Sequence, residues 1–134
     1  MDRETFLRRV DDALASIPPR FREALINVAI VVEDNPSEVQ LAEAGIEAPD
    51  TLMGLYEGIP LPERQWNHGN SLPDKVTLFQ LPIEDVSDDE DDMVIAIGET
   101  LIHELGHYFG LSEEEIEEIE ERYWRGEPDP DALQ

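Results

Sequence analysis

An α+β domain, with a small mixed sheet of about three strands packed against helices, is the fold class this sequence predicts. Three observations predict it. Helical periodicity occupies both ends of the chain, over 3–17 and 93–125. Short β-branched apolar runs occupy the middle, at 24–33, 52–57 and 75–81. The length, 134 residues with 40% apolar content, provides for one modest core.

The first helix is read from Phe6, Val10, Leu14 and Ile17 at helical spacing, with Ala13 beside them and Asp2 as N-cap. Pro18-Pro19 ends it, because proline cannot continue the hydrogen-bond ladder. Residues 24–33, nearly all apolar and rich in Val and Ile, read as a central strand buried on both faces. Asp34-Asn35-Pro36-Ser37 breaks that strand, and 38–44 form a short helix stopping at Gly45. A second strand over 52–57 ends at Gly58. Pro60, Pro62, Gly69 and Pro73 make 59–74 an exposed loop. The third strand, 75–81, ends at Pro82. Residues 84–92 carry seven acids in nine positions and are expected to be a solvated or disordered linker. A second amphipathic helix runs over 93–109 and breaks at Gly110. Ser112 and Glu115 form a capping-box pattern opening a third helix to about 125. One domain over 1–125 and a loose tail over 126–134 are expected.

Nine basic residues against 33 acidic ones give a net charge of −24, and Lys75 is the one lysine. No basic patch exists to neutralise phosphates, which argues against nucleic acid and against an anionic membrane surface. No apolar run reaches the roughly 18 residues of a spanning helix. Met1-Asp2-Arg3-Glu4 has no apolar segment behind it, so no signal peptide is expected, and a cytoplasmic protein, monomeric by preference, is the simplest reading. Cysteine is absent, which removes disulfides and thiolate chemistry. The same acidity occurs in salt-adapted proteins.

One stretch carries chemistry: His103-Glu104-Leu105-Gly106-His107-Tyr108-Phe109-Gly110-Leu111-Ser112-Glu113. It holds H-E-x-x-H on a predicted helix. At about 100° per residue, His107 lies roughly 40° around from His103 and one turn along, so both imidazoles project to one side, where one Zn²⁺ can meet two nitrogens. Glu104 flanks the metal and can take a proton from its bound water. Val94, Ile97, Leu101, Leu105 and Tyr108 form the opposing core stripe, while Ala96 and Gly106, small and near the histidine face, leave room for a substrate or a partner strand. Gly110, as a left-handed cap, turns the chain so that Glu113 can supply a third, carboxylate ligand, with Glu114 and Glu117 as alternatives. Two histidines and one carboxylate leave a coordination position open.

The sequence resembles the minimal zincin-like metallopeptidases of bacteria, whose motif reads H-E-x-x-H-x-x-G-x-x-D. The likeness extends to Asn27-Val28-Ala29-Ile30-Val31-Val32-Glu33, Leu55-Tyr56-Glu57-Gly58 and Thr77-Leu78-Phe79-Gln80, and covers roughly residues 2–121. It implies a compact zincin fold, zinc on His103 and His107, and Glu104 as general base. This chain departs from the pattern at Glu113, where the family usually has Asp, and no Met-turn is evident.

The function expected is zinc-dependent hydrolysis of a peptide or protein substrate. The strand over 52–57 is a possible edge for an extended substrate, and Tyr56 a candidate for oxyanion contact set against a packed core tyrosine. The alternative is a non-catalytic zinc-binding or adaptor protein that keeps the fold. His68, in the long loop, is a weaker ligand candidate. The acidic run lacks the spacing of a calcium loop.

Overall fold

Asp2 caps the first helix as its position predicts. In the structure, a computed structural model describing residues 1–58 and 74–128, its carboxylate accepts the Thr5 N–H at 2.8 Å and opens α1 (Arg3–Ser16), which buries Phe6, Val10 and Ala13. Pro18-Pro19 ends α1 but also starts another helix, α2 (Pro19–Ala24). Pro19 occupies the first helical position, where no N–H is needed and φ is already suited to the helix. A 3-10 turn over Leu25–Asn27 follows, so the strand expected over 24–33 is shortened to β1 (Val28–Glu33).

Among the described residues the sheet holds three strands in the order β1-β3-β2, with β2 at Gly54–Glu57 and β3 at Asp74–Phe79. β1 runs parallel to β3, Val28 facing Asp74 and Glu33 facing Phe79, while β2 runs antiparallel to it, Gly54 facing Leu78 and Glu57 facing Lys75. The expected central position of the first strand is therefore corrected: β1 is an edge and β3 is the centre. Val76, Thr77, Leu78 and Phe79 are all buried, whereas Ala29 on β1 is exposed and Ile30 and Val32 are half-buried against the core. A β-branched run reads alike at an edge and at a centre, because composition reports a strand without reporting how many neighbours it has.

Pro82 does not end the third strand but lies inside α4 (Gln80–Asp85), at its third residue, where its missing N–H costs nothing. The acidic run is also corrected from a solvated linker. Its first acids belong to α4, and Asp89 caps α5 (Glu90–Phe109) by accepting the Asp92 N–H at 2.8 Å. Glu90, Asp91 and Asp92 form the first turn, where negative charge complements the helix dipole. A run of like charge thus starts a helix that its self-repulsion seemed to forbid.

α5 is the axis of the domain. α1 packs along one flank, β2 and β3 lie against another, and α6 (Glu113–Trp124) folds back on it. Ile97, Leu101, Leu105 and Tyr108 are buried as the stripe predicts, with Val94 partly so, and Met93 and Ile102 join them. Two glycines admit α6. A Cβ on Gly98 would lie 2.0 Å from the Tyr123 hydroxyl, and one on Gly106 would lie 2.6 Å from Ile116 Cγ1. Gly106 is therefore covered by Ile116 and not open to a substrate; Ala96 alone of the pair borders a cavity. Gly110 takes φ 73° at the end of α5, and Ser112 and Glu115 complete the predicted capping box on α6. Among the described residues, no helix is long and apolar enough to cross a membrane. His68, most of the loop over 59–74 and the last six residues of the expected tail lie outside the described residues.

Candidate metal centre

His103 and His107 stand one turn apart near the C-terminal end of α5, and the left-handed turn at Gly110 brings the start of α6 back beside them. The two imidazole rings meet edge to face with centroids 4.9 Å apart. His107 Nε2 lies 3.3 Å from Glu113 Oε1. One donor atom from each of His103, His107 and Glu113 falls within 4.8 Å of the other two. Two donors at about 2.0–2.1 Å from one tetrahedral zinc stand roughly 3.3–3.4 Å apart, so the histidine–carboxylate spacing matches that of shared ligation. The structure thus brings Glu113, rather than Glu114 or Glu117, to the histidines.

Glu120 was missed by the sequence reading. Its Oε1 lies 3.1 Å from His103 Nδ1, behind the ring. A carboxylate there accepts a hydrogen bond from the Nδ1–H, which keeps the proton on Nδ1 and leaves Nε2 unprotonated, as suits a metal-binding imidazole. The same contact raises the His103 pKa above its ordinary value, against the opposing effect of burial. A signal was available: Glu120 is seven residues after Glu113, which on a helix is only about 20° out of line and two turns along.

Glu104 is buried beside the pair. Its Oε1 accepts the backbone N–H of Tyr56 at 3.0 Å and lies 4.0 Å from His107 Nδ1. Burial pushes its pKa up, while the two histidines and the Tyr56 N–H pull it back. A carboxylate so placed holds a proton more readily than one in water. Tyr56 comes to the site through its main chain. Its hydroxyl donates to Asp74 Oδ2 at 3.0 Å, and its ring meets Tyr108 edge to face.

Two further residues, also unforeseen, set this contact. Gly54 lies against α5 so closely that a Cβ would stand 2.5 Å from Thr100 Cγ2 and 3.2 Å from Glu104 Cγ. Thr100 is held in turn by its hydroxyl, which donates to the Ala96 carbonyl at 2.7 Å. Beside this contact opens a cavity of about 670 Å³, bordered by His103, Glu104, Gly54 and the α5 face that leads toward its N-terminus.

Two imidazoles and a carboxylate thus gather on H-E-x-x-H and the start of α6. A sequence model of the zincin-like metallopeptidases matches residues 25–123. The chain belongs to the zincin-like metallopeptidase family. The match runs from the turn before β1 nearly to the end of α6, so it takes in β1, β2, β3, α5 and every member of the candidate centre. No curated protein sequence matches the chain. As a zincin-like metallopeptidase the family implies a bound metal, usually zinc, and the donor set found here, two nitrogens and one oxygen, suits that ion.

Proposed function

We propose that this protein is a zinc-dependent peptidase, in which His103, His107 and Glu113 hold the metal and Glu104 is the general base. The observation that carries the reading is the gathering of three donor atoms within 4.8 Å beside a buried carboxylate whose pKa is raised. Zinc, when bound, supplies Lewis acidity, lowering the pKa of water toward about 7 and polarising a carbonyl oxygen.

The chain's own residues do the rest. Glu120 orients His103 through Nδ1. The Tyr56 N–H occupies Glu104 Oε1, so Oε2 is the oxygen left to take the proton of the attacking water and return it to the leaving amine. Burial, which raises the Glu104 pKa, favours the protonated form from which that proton is returned. β2 is an edge strand, and since Glu104 takes the outward Tyr56 N–H, an extended peptide would pair with the remaining outward backbone groups of β2. Tyr56 then serves the reaction indirectly, its N–H positioning Glu104.

The test is metal analysis beside activity. Purified protein loaded with ZnCl₂ should bind one zinc per chain and cleave an unstructured protein such as casein, with a chelator stopping cleavage and zinc restoring it. His103→Ala should lose both. Stoichiometric zinc with no cleavage of casein or of short peptides would favour the alternative, a non-catalytic zinc-binding protein.

A further inference from the structure

We propose that the cavity beside the candidate metal centre selects a peptide with a lysine or arginine next to the scissile bond, its stem against Trp124 and its cationic head at Glu99. This rests on the peptidase reading above and names the substrate class for that site.

The cavity starts at His103 and Glu104 and runs along α5 toward its N-terminus, past Thr100, Glu99, Ala96 and Ile95. Glu99 is one turn before His103, a rise of about 6 Å, so its carboxylate is within reach of the side chain beside a bond held at the histidines. Besides Glu104, three acids border the cavity. Glu120 is engaged by His103 Nδ1, and Asp92 accepts the Asp88 N–H at 3.4 Å. Glu99 makes no hydrogen bond or ion pair among the described residues, and it is half-buried. Burial and the nearby Glu120 charge raise its pKa, which is the mark of a carboxylate held without a counter-cation.

One aromatic residue borders the cavity as well. Trp124 closes α6 with 67% of its surface exposed, and Leu52, Met53, Val86, Ile95 and Ala96 add apolar side chains to the lining. A large apolar ring left open beside an unpaired acid suits one kind of side chain, a long apolar stem with a positive tip. Glutamate or aspartate at the same place would meet Glu99 and Glu120 with like charge. The net charge of −24 draws a basic substrate toward the same surface from a distance.

Quenched fluorescent peptides identical except at one position test this, with lysine, norleucine or glutamate there. Norleucine keeps the stem and removes the charge. Zinc-loaded wild-type protein should show kcat/KM for lysine about tenfold above norleucine, the size of one partly desolvated ion pair, with glutamate lowest. Glu99→Gln should bring the lysine-to-norleucine ratio close to one, and Trp124→Ala should lower kcat/KM for lysine and norleucine alike. A ratio unchanged by Glu99→Gln, or no preference for lysine in the parent, overturns the inference while leaving a peptidase in place. A second arm uses the metal-free protein and reads peptide binding by calorimetry. Tighter binding of lysine than norleucine that vanishes in Glu99→Gln, together with no cleavage by the zinc-loaded protein, supports the recognition and refutes the hydrolysis. Absence of both binding and cleavage refutes both.

Discussion

The backbone N–H of Tyr56 donates to Glu104 Oε1 at 3.0 Å, so the outer edge of β2 is tied to the helix that carries both histidines. The bond couples two things a peptidase must align: the strand edge that can receive a substrate and the carboxylate that moves its proton. It also decides which oxygen of Glu104 is free.

Glu104→Gln tests the base without disturbing that bond, because the glutamine Oε1 can still accept the Tyr56 N–H. Zinc content, measured by mass spectrometry, should match the parent. Hydrolysis should fall by roughly 10²–10⁴-fold, the usual contribution of a positioned general base. Cleavage at the parental rate would remove Glu104 from that role.

Glu120 acts on the metal through His103. Glu120→Ala should weaken zinc binding by about 10–100-fold, read by competition with a chelating dye. Glu120→Gln, which keeps an oxygen to accept the Nδ1 proton, should recover most of the affinity. Equal loss in both variants would mean that the carboxylate charge, not the orientation of the ring, is what matters.

Gly54 and Thr100 form a testable pair. Gly54→Ala forces its new Cβ against Thr100 Cγ2, and overpacking of this kind costs about 1–3 kcal/mol. The displacement of β2 should also loosen the Tyr56–Glu104 bond and lower activity. Thr100→Ser deletes Cγ2 and keeps the hydroxyl that bonds the Ala96 carbonyl. The double variant should therefore regain both stability and activity relative to Gly54→Ala, a coupling that urea unfolding and a peptide assay measure together.

Glu99 gives a prediction in pH. Its folded pKa is raised, first by burial and then by Glu120. A carboxyl with a raised folded pKa favours the fold while protonated, and that contribution is lost as pH rises from the unfolded value through the folded one. At neutral pH its charge is a cost. Glu99→Gln should raise the melting temperature of the metal-free protein at pH 7.5, and the gain should disappear below about pH 4, where unfolded glutamate is itself protonated. A melting temperature unchanged at pH 7.5 would show that the raised pKa carries no stability. A raised one would mark the residue proposed to select the substrate as one that the fold would be better without.

Much of this molecule was legible from residues a few positions apart. The caps at Asp2 and Ser112, the turn at Gly110, the histidine pair one helical turn apart and Glu113 just beyond the turn are local matters of backbone geometry, and the chain alone determined them. What lay outside its reach was pairing across distance. Periodicity marks the apolar side of an element without saying which element covers it. Only the assembled fold put β3 at the centre of the sheet and β1 at its edge, laid Ile116 over Gly106, pressed Gly54 onto Thr100 and set Glu120 behind His103. The acidic run between 84 and 92 shows the same limit, for its repulsion is offset by helix N-terminal amides that exist only once α5 has formed.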